Sequence, residues 1–104
     1  VVPADWVKAS HTPDAPQLMP GEQEISDTIW GYGYLWWLPR EVDGPYAAVG
    51  IYNQFIYVDP AHDLVIVKTS ANSDYGQTND ETSWREDETV ALFEAIAETA
   101  GTAN

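Results

Sequence analysis

Between residues 28 and 71 the chain offers three segments rich in Tyr, Trp, Val, Ile and Phe, separated only by short turn-forming stretches. A parallel pairing needs a crossover of about a dozen residues or more, and neither connection has room for one. Segments 28–38, 46–59 and 64–71 are therefore expected to form a three-strand antiparallel meander. Pro39, Asp43-Gly44 and Pro45 mark the first connection, and Asp59-Pro60-Ala61-His62-Asp63 the second. In the first strand Trp30, Tyr32, Tyr34 and Trp36 share one parity, and Gly31 and Gly33 the other. One face should then be an aromatic ladder, and the other bare backbone that a neighbouring element can approach closely. The run Leu64-Val65-Ile66-Val67 lacks alternation, which predicts a strand covered on both faces.

The flanks of the meander supply the helical part of an α+β fold. In residues 1–27, Pro3 and the Ala4-Asp5-Trp6-Val7 that follow predict a short helix, and Pro13, Pro16, Pro20 and Gly21 predict a loop after it. In residues 72–104 a polar loop precedes a helix expected over 84–100. Ser83 and Glu86 have capping-box spacing, and Glu86, Asp87 and Glu88 sit where the helix dipole favours acids. Val90, Phe93, Ile96, Ala97 and Ala100 make one apolar stripe, Gly101 is the expected stop, and a short tail follows it. One helix covers one face of a sheet. The chain is thus expected to be completed by the remainder of a parent chain or by a complementary chain, and a start at Val1 rather than Met points the same way.

Charge removes several classes of partner. Seventeen acidic residues face four basic ones, for a net charge of −13. Lys8, Arg40, Lys68 and Arg85 are scattered, so neither a nucleic-acid backbone nor an anionic membrane surface is an expected partner. No apolar run reaches the about 18 residues of a membrane-spanning helix. The acidic excess fits a solvated surface or adaptation to high salt. With no cysteine there is no disulfide, thiolate metal site or Cys nucleophile. No serine has a Lys three residues on or sits in a Gly-x-Ser-x-Gly elbow, and His11 and His62 are isolated. Asp59 and Asp63 bracket a Pro turn, where Asp usually bonds locally. No cofactor or metal is expected, and nothing in the residues assigns a compartment.

Three strings nevertheless stand together: Gly31-Tyr32-Gly33-Tyr34-Leu35-Trp36-Trp37, then Ala48-Val49-Gly50-Ile51-Tyr52-Asn53-Gln54-Phe55-Ile56-Tyr57-Val58-Asp59-Pro60, then Asp63-Leu64-Val65-Ile66-Val67. Their order resembles the C-terminal end of serine β-lactamase-related hydrolases. The nearest likeness is the class C-like branch that holds esterases and 6-aminohexanoate-dimer hydrolases. Val2-Pro3-Ala4-Asp5-Trp6-Val7 resembles the segment that closes the helical region there, so the likeness spans nearly the whole chain. The resemblance implies a β-lactamase-like fold and acyl transfer to a Ser of a Ser-x-x-Lys helix, helped by a Tyr of a helical domain. Neither motif lies in these residues, so the chain is expected to be inactive alone. The third family motif, Lys/His-Thr/Ser-Gly, falls on Ala48-Val49-Gly50 with no cation and no hydroxyl. That departure argues against penicillin-type substrates and leaves small amides or esters.

The same likeness assigns the oxyanion-hole donor to the backbone N–H of Ile51, and substrate contacts to Ala48, Val49, Gly50, Tyr52 and Asn53. The branch often has Gly where this chain has Asn53. On the residues alone, Gly50-Ile51 also reads as an ordinary strand with a bulge. Tyr52-Asn53-Gln54 likewise reads as solvent-facing polarity, and the aromatic ladder as core. A second class of function therefore stays open: a non-catalytic binding module that uses an aromatic sheet face or an open strand edge.

Overall fold

In the computed structural model, which describes residues 1–23 and 28–102, the segment expected as one strand over 28–38 is folded back on itself. Strands β1 (Gly31–Tyr32) and β2 (Trp37–Leu38) pair antiparallel, Gly31 opposite Leu38 and Tyr32 opposite Trp37. Between them Gly33 N–H donates to the Trp36 carbonyl at 2.8 Å, and Leu35 takes a left-handed φ of 70°. The expected aromatic ladder is broken by this turn. Trp30 and Tyr32 meet the edge of Trp37, Tyr34 meets Trp6, and Trp36 meets Tyr46. Side-chain parity cannot reveal such a turn, because a two-residue strand on each side keeps the same alternation.

What claims the middle of this segment is helix α1 (Ala4–Ser10), which follows Pro3. The Ser10 carbonyl accepts from Tyr34 N–H at 2.8 Å. A Cβ on Gly33 would collide with that carbonyl oxygen and lie 3.0 Å from His11 Cα; one on Gly31 would lie 2.8 Å from the Pro20 ring. The close approach expected at these two glycines is therefore present, with α1 and the loop after it as the approaching elements.

The second expected strand is likewise two. Strand β3 (Tyr46–Gly50) ends in a 3₁₀ turn, Ile51–Asn53, before β4 (Gln54–Asp59). The turn Pro60–His62 then leads to β5 (Leu64–Lys68). Asp59 closes that turn: its carboxylate accepts from His62 N–H at 3.3 Å. The sheet has five strands in chain order, β1-β2-β3-β4-β5, all antiparallel. The expected α+β class with an antiparallel sheet and a C-terminal helix holds; the expected strand number of three does not. By its contacts the chain divides into two compact units, Val1–Ala48 and Val49–Asn104.

In the first unit Trp30, Leu38, Tyr46 and Ala47 are buried, with His11 stacked on Tyr46 at 4.1 Å. In the second, Phe55 and Tyr57 of β4 point inward onto helix α3 (Glu86–Thr102), where Phe93 lies 5.7 Å and 5.0 Å from their rings. Val90, Phe93 and Ala97 of the expected stripe are buried; Ile96 is 39% exposed and falls outside it. The other face of β4–β5 is bare among the described residues. Ile56, Val65 and Val67 are 43%, 61% and 66% exposed, contrary to the two-sided cover expected from their unalternating run.

The helix start also differs from the capping-box reading. A one-turn helix α2 (Glu81–Trp84) comes first, and Arg85, left-handed at φ 53°, separates it from α3. Ser83 lies inside α2 and donates its hydroxyl to the Asp74 carbonyl at 2.6 Å. The cap of α3 is the Glu81 carboxylate, which accepts from Asp87 N–H and Glu88 N–H, each at 3.0 Å. Gly101, the expected stop, lies within α3, and residues 24–27 of the expected loop and 103–104 of the expected tail lie outside the described residues.

Crowding of acids at this start has a measurable effect. Burial first, then the charges of Glu81 and Asp87, raise the Glu86 carboxyl above its ordinary 4.5. A carboxyl raised by folding costs stability while ionised, and the cost fades as pH falls through its folded value. Glu86→Gln is accordingly expected to stabilise the fold at neutral pH. The gain should vanish below pH 4.5, where folded and unfolded chains both hold the proton. Urea unfolding of both proteins at neutral and acid pH checks this; an equal midpoint difference at both would count against it.

Candidate functional site

The residues assigned by resemblance lie at the end of β3 and on the turn that connects it to β4. Ala48, Val49 and Gly50 are the last residues of β3 and are half-buried. Gly50 is extended at φ −109°, and a Cβ there would meet only Gln54 at 3.4–3.5 Å, an ordinary contact. The chain's own packing thus does not demand glycine at this position.

Ile51 does not sit on a rigid strand, as expected, but opens the 3₁₀ turn. It is 61% exposed and Tyr52 48% exposed. Tyr52 and Asn53 are both left-handed, at φ 61° and 67°. Asn tolerates that region better than Tyr, and a strained residue costs on the order of 1–3 kcal/mol. Something must hold them there.

Asn53 is what does so. Expected as a substrate contact or as solvent-facing polarity, it is instead 2% exposed, turned into the second unit. Its Nδ2 donates to the Trp84 carbonyl, and its Oδ1 accepts from Asn72 Nδ2 at 2.6 Å. Asn72 adds a second tie, its backbone N–H donating to the Tyr52 carbonyl at 3.3 Å. Gln54 Nε2 donates to the Ile51 carbonyl at 3.3 Å. Above these bonds the Tyr52 ring meets Tyr75 at 5.9 Å, and Tyr75 meets Trp84 edge-on at 4.9 Å. Burial and the nearby Glu86 charge raise the Tyr75 hydroxyl above its ordinary 10.0, so it stays protonated at neutral pH. The connection is therefore an exposed, apolar turn whose backbone is bolted from beneath. It can present a fixed backbone donor; it offers no general base.

Among the described residues no other group here assembles a nucleophile. The buried serines spend their hydroxyls on backbone carbonyls, Ser10 on Val7 at 2.8 Å and Ser83 on Asp74 at 2.6 Å. His62 Nδ1 lies 2.7 Å from Asp59 Oδ2 within one turn, a local pair. Among the described residues no cluster of His, Cys, Asp or Glu is placed to hold a metal ion, and no helix is long and apolar enough to cross a membrane.

The first unit has a feature of its own. A groove of about 380 Å³ runs between α1 and the β1–β2 turn, lined by Trp6, Val7, Tyr34, Leu35, Trp36 and Tyr46. It is assembled from the aromatic segment because the turn at Gly33 aims Tyr34 and Trp36 at different neighbours.

No family model matches the chain, and no curated protein or solved structure matches it. Residue-by-residue reading singles out Gly50-Ile51 as part of a strand; it shows neither the turn nor the residues beneath it. Asn72 and Trp84 lie 19 and 31 positions from Asn53, and no periodicity connects them. Only the tendency of Asn to occupy left-handed backbone hinted that position 53 could be a turn.

Proposed function

We propose that this chain is the C-terminal part of a β-lactamase-like serine hydrolase that cleaves amide or ester bonds through an acyl-enzyme. In this reading the Ile51 N–H is one donor of the oxyanion hole, and Ala48, Val49, Gly50 and Tyr52 border the substrate. The observation that carries it is the bolted turn directly after Gly50, at the place where the sequence strings put the oxyanion strand. A tetrahedral intermediate is stabilised by a donor already fixed where charge develops, and a backbone N–H on a held turn meets that need whatever the side chain. The nucleophile and its base belong to the remainder of the parent chain. Without a cation or hydroxyl at Ala48 and Val49, substrates lacking a gripped carboxylate fit better than penicillins.

Labelling with a fluorophosphonate probe tests the reading. The parent protein should be labelled on the Ser of an upstream Ser-x-x-Lys, and the 104-residue chain alone should stay unlabelled and inactive towards esters and amides. An unlabelled, inactive parent, or turnover by the chain alone, would sink it.

The groove in the first unit favours a second reading, a non-catalytic module that binds an apolar or aromatic group. It predicts saturable binding of such a ligand by the chain alone, lost in Trp6→Ala.

A further inference from the structure

We propose that Asn53 is a positioning residue for the Ile51 amide, a role that rests on the oxyanion reading above. The Gly50–Ile51 peptide plane sets the direction of the Ile51 N–H. Strand β3 fixes that plane on one side only. On the other side lie two consecutive left-handed residues, a conformation that a short turn does not keep unaided. The buried Asn53 amide supplies the hold: its donor is spent on the Trp84 carbonyl and its acceptor on Asn72, which also returns a backbone bond to Tyr52. Both anchors belong to the segment between β5 and α3, so the turn is tied to a part of the unit distant in sequence. A polar side chain 2% exposed and bonded at both ends leaves little play in the backbone that carries it. An oxyanion donor gives its full effect only when it needs no reorganisation during reaction. Asn53 accordingly acts on the transition state through the Ile51 peptide, with no contact to substrate.

The variants are Asn53→Gly, which accepts a positive φ and deletes the clasp, and Asn72→Ala, which leaves Asn53 in place and removes its partner. Both are made in the parent hydrolase. Two readouts are taken: NMR order parameters of the Ile51 and Tyr52 amides, and kcat and KM for an ester together with the affinity of a boronate mimic of the tetrahedral intermediate. Expected are lower order parameters at those amides, a fall of about fivefold to tenfold in kcat with KM unchanged, and an equal fall in boronate affinity. Unchanged order parameters in both variants overturn the positioning role, whatever the kinetics. Lower order parameters with unchanged kcat and boronate affinity overturn the proposal at its base: the clasp holds the turn, but the Ile51 amide does not serve the oxyanion. If Asn53→Gly fails to fold, Asn72→Ala alone decides by the same readouts.

Discussion

Replacing the Ile51 peptide bond by an ester in the proposed parent hydrolase is expected to lower turnover about 10²–10³-fold while the fold survives. The substitution deletes one N–H and changes no side chain, so it isolates the donor. Ile51→Pro removes the same N–H and should be at least as severe, but proline also fixes φ, so damage to the turn would add to the loss. Ile51→Val keeps the donor and should be mild, since the side chain is 61% exposed. Thermal unfolding and circular dichroism on each variant separate lost chemistry from lost structure. An ester variant that folds and retains full turnover would return Gly50-Ile51 to the status of an ordinary strand end.

The second large effect concerns stability. Phe93→Ala should cost about 3–5 kcal/mol, as deletions of well-packed aromatic side chains do. Phe93 is 2% exposed, and both Phe55 and Tyr57 of β4 lean on its ring. Such a loss is a large fraction of the roughly 5–15 kcal/mol that holds a typical domain together. On the same helix, Ile96→Ala should change stability by only about 0.5 kcal/mol, because its side chain is 39% exposed. Urea unfolding followed by far-ultraviolet circular dichroism measures both. Equal costs at the two positions would mean that α3 does not present its Phe93 face to the sheet.

The contrast between these helix positions shows what was legible in the sequence and what was not. Val90, Phe93 and Ala97 recur at helical spacing, and that spacing placed α3 and its buried side. The pairing of β4 with β5 followed from a connection too short for anything but a turn. What periodicity could not show was where a strand stops. Leu35, Tyr52 and Asn53 interrupt two apparently continuous β segments with left-handed backbone, and none is glycine. Turn chemistry is read from Gly, Pro, Asn and Asp, and of these only Asn53 gave a signal. The helix start was misread for a related reason. Ser83 and Glu86 have the right spacing for a capping box, but Arg85 breaks the helix between them and Glu81 takes over the cap. The candidate site shares that pattern: the strings singled out Gly50-Ile51 but as part of one continuous strand, and the clasp beneath the turn depends on Asn72 and Trp84, which tertiary folding alone brings to Asn53.

Seen as a colloid, the chain sets an exposed apolar face of β4 and β5 against a strong net negative charge. Ile56, Val65 and Val67 offer an apolar surface, and β5, the last strand of the sheet, offers an edge whose one cation is Lys68. At neutral pH two copies approach each carrying a charge of −13, and that repulsion keeps face from face. At the sequence pI, about 4.1, the net charge behind that repulsion vanishes. Concentrated salt shortens its reach to a few ångströms while strengthening apolar association. The contact through which copies then associate is expected to be this same sheet face, with the acidic exterior opposing it.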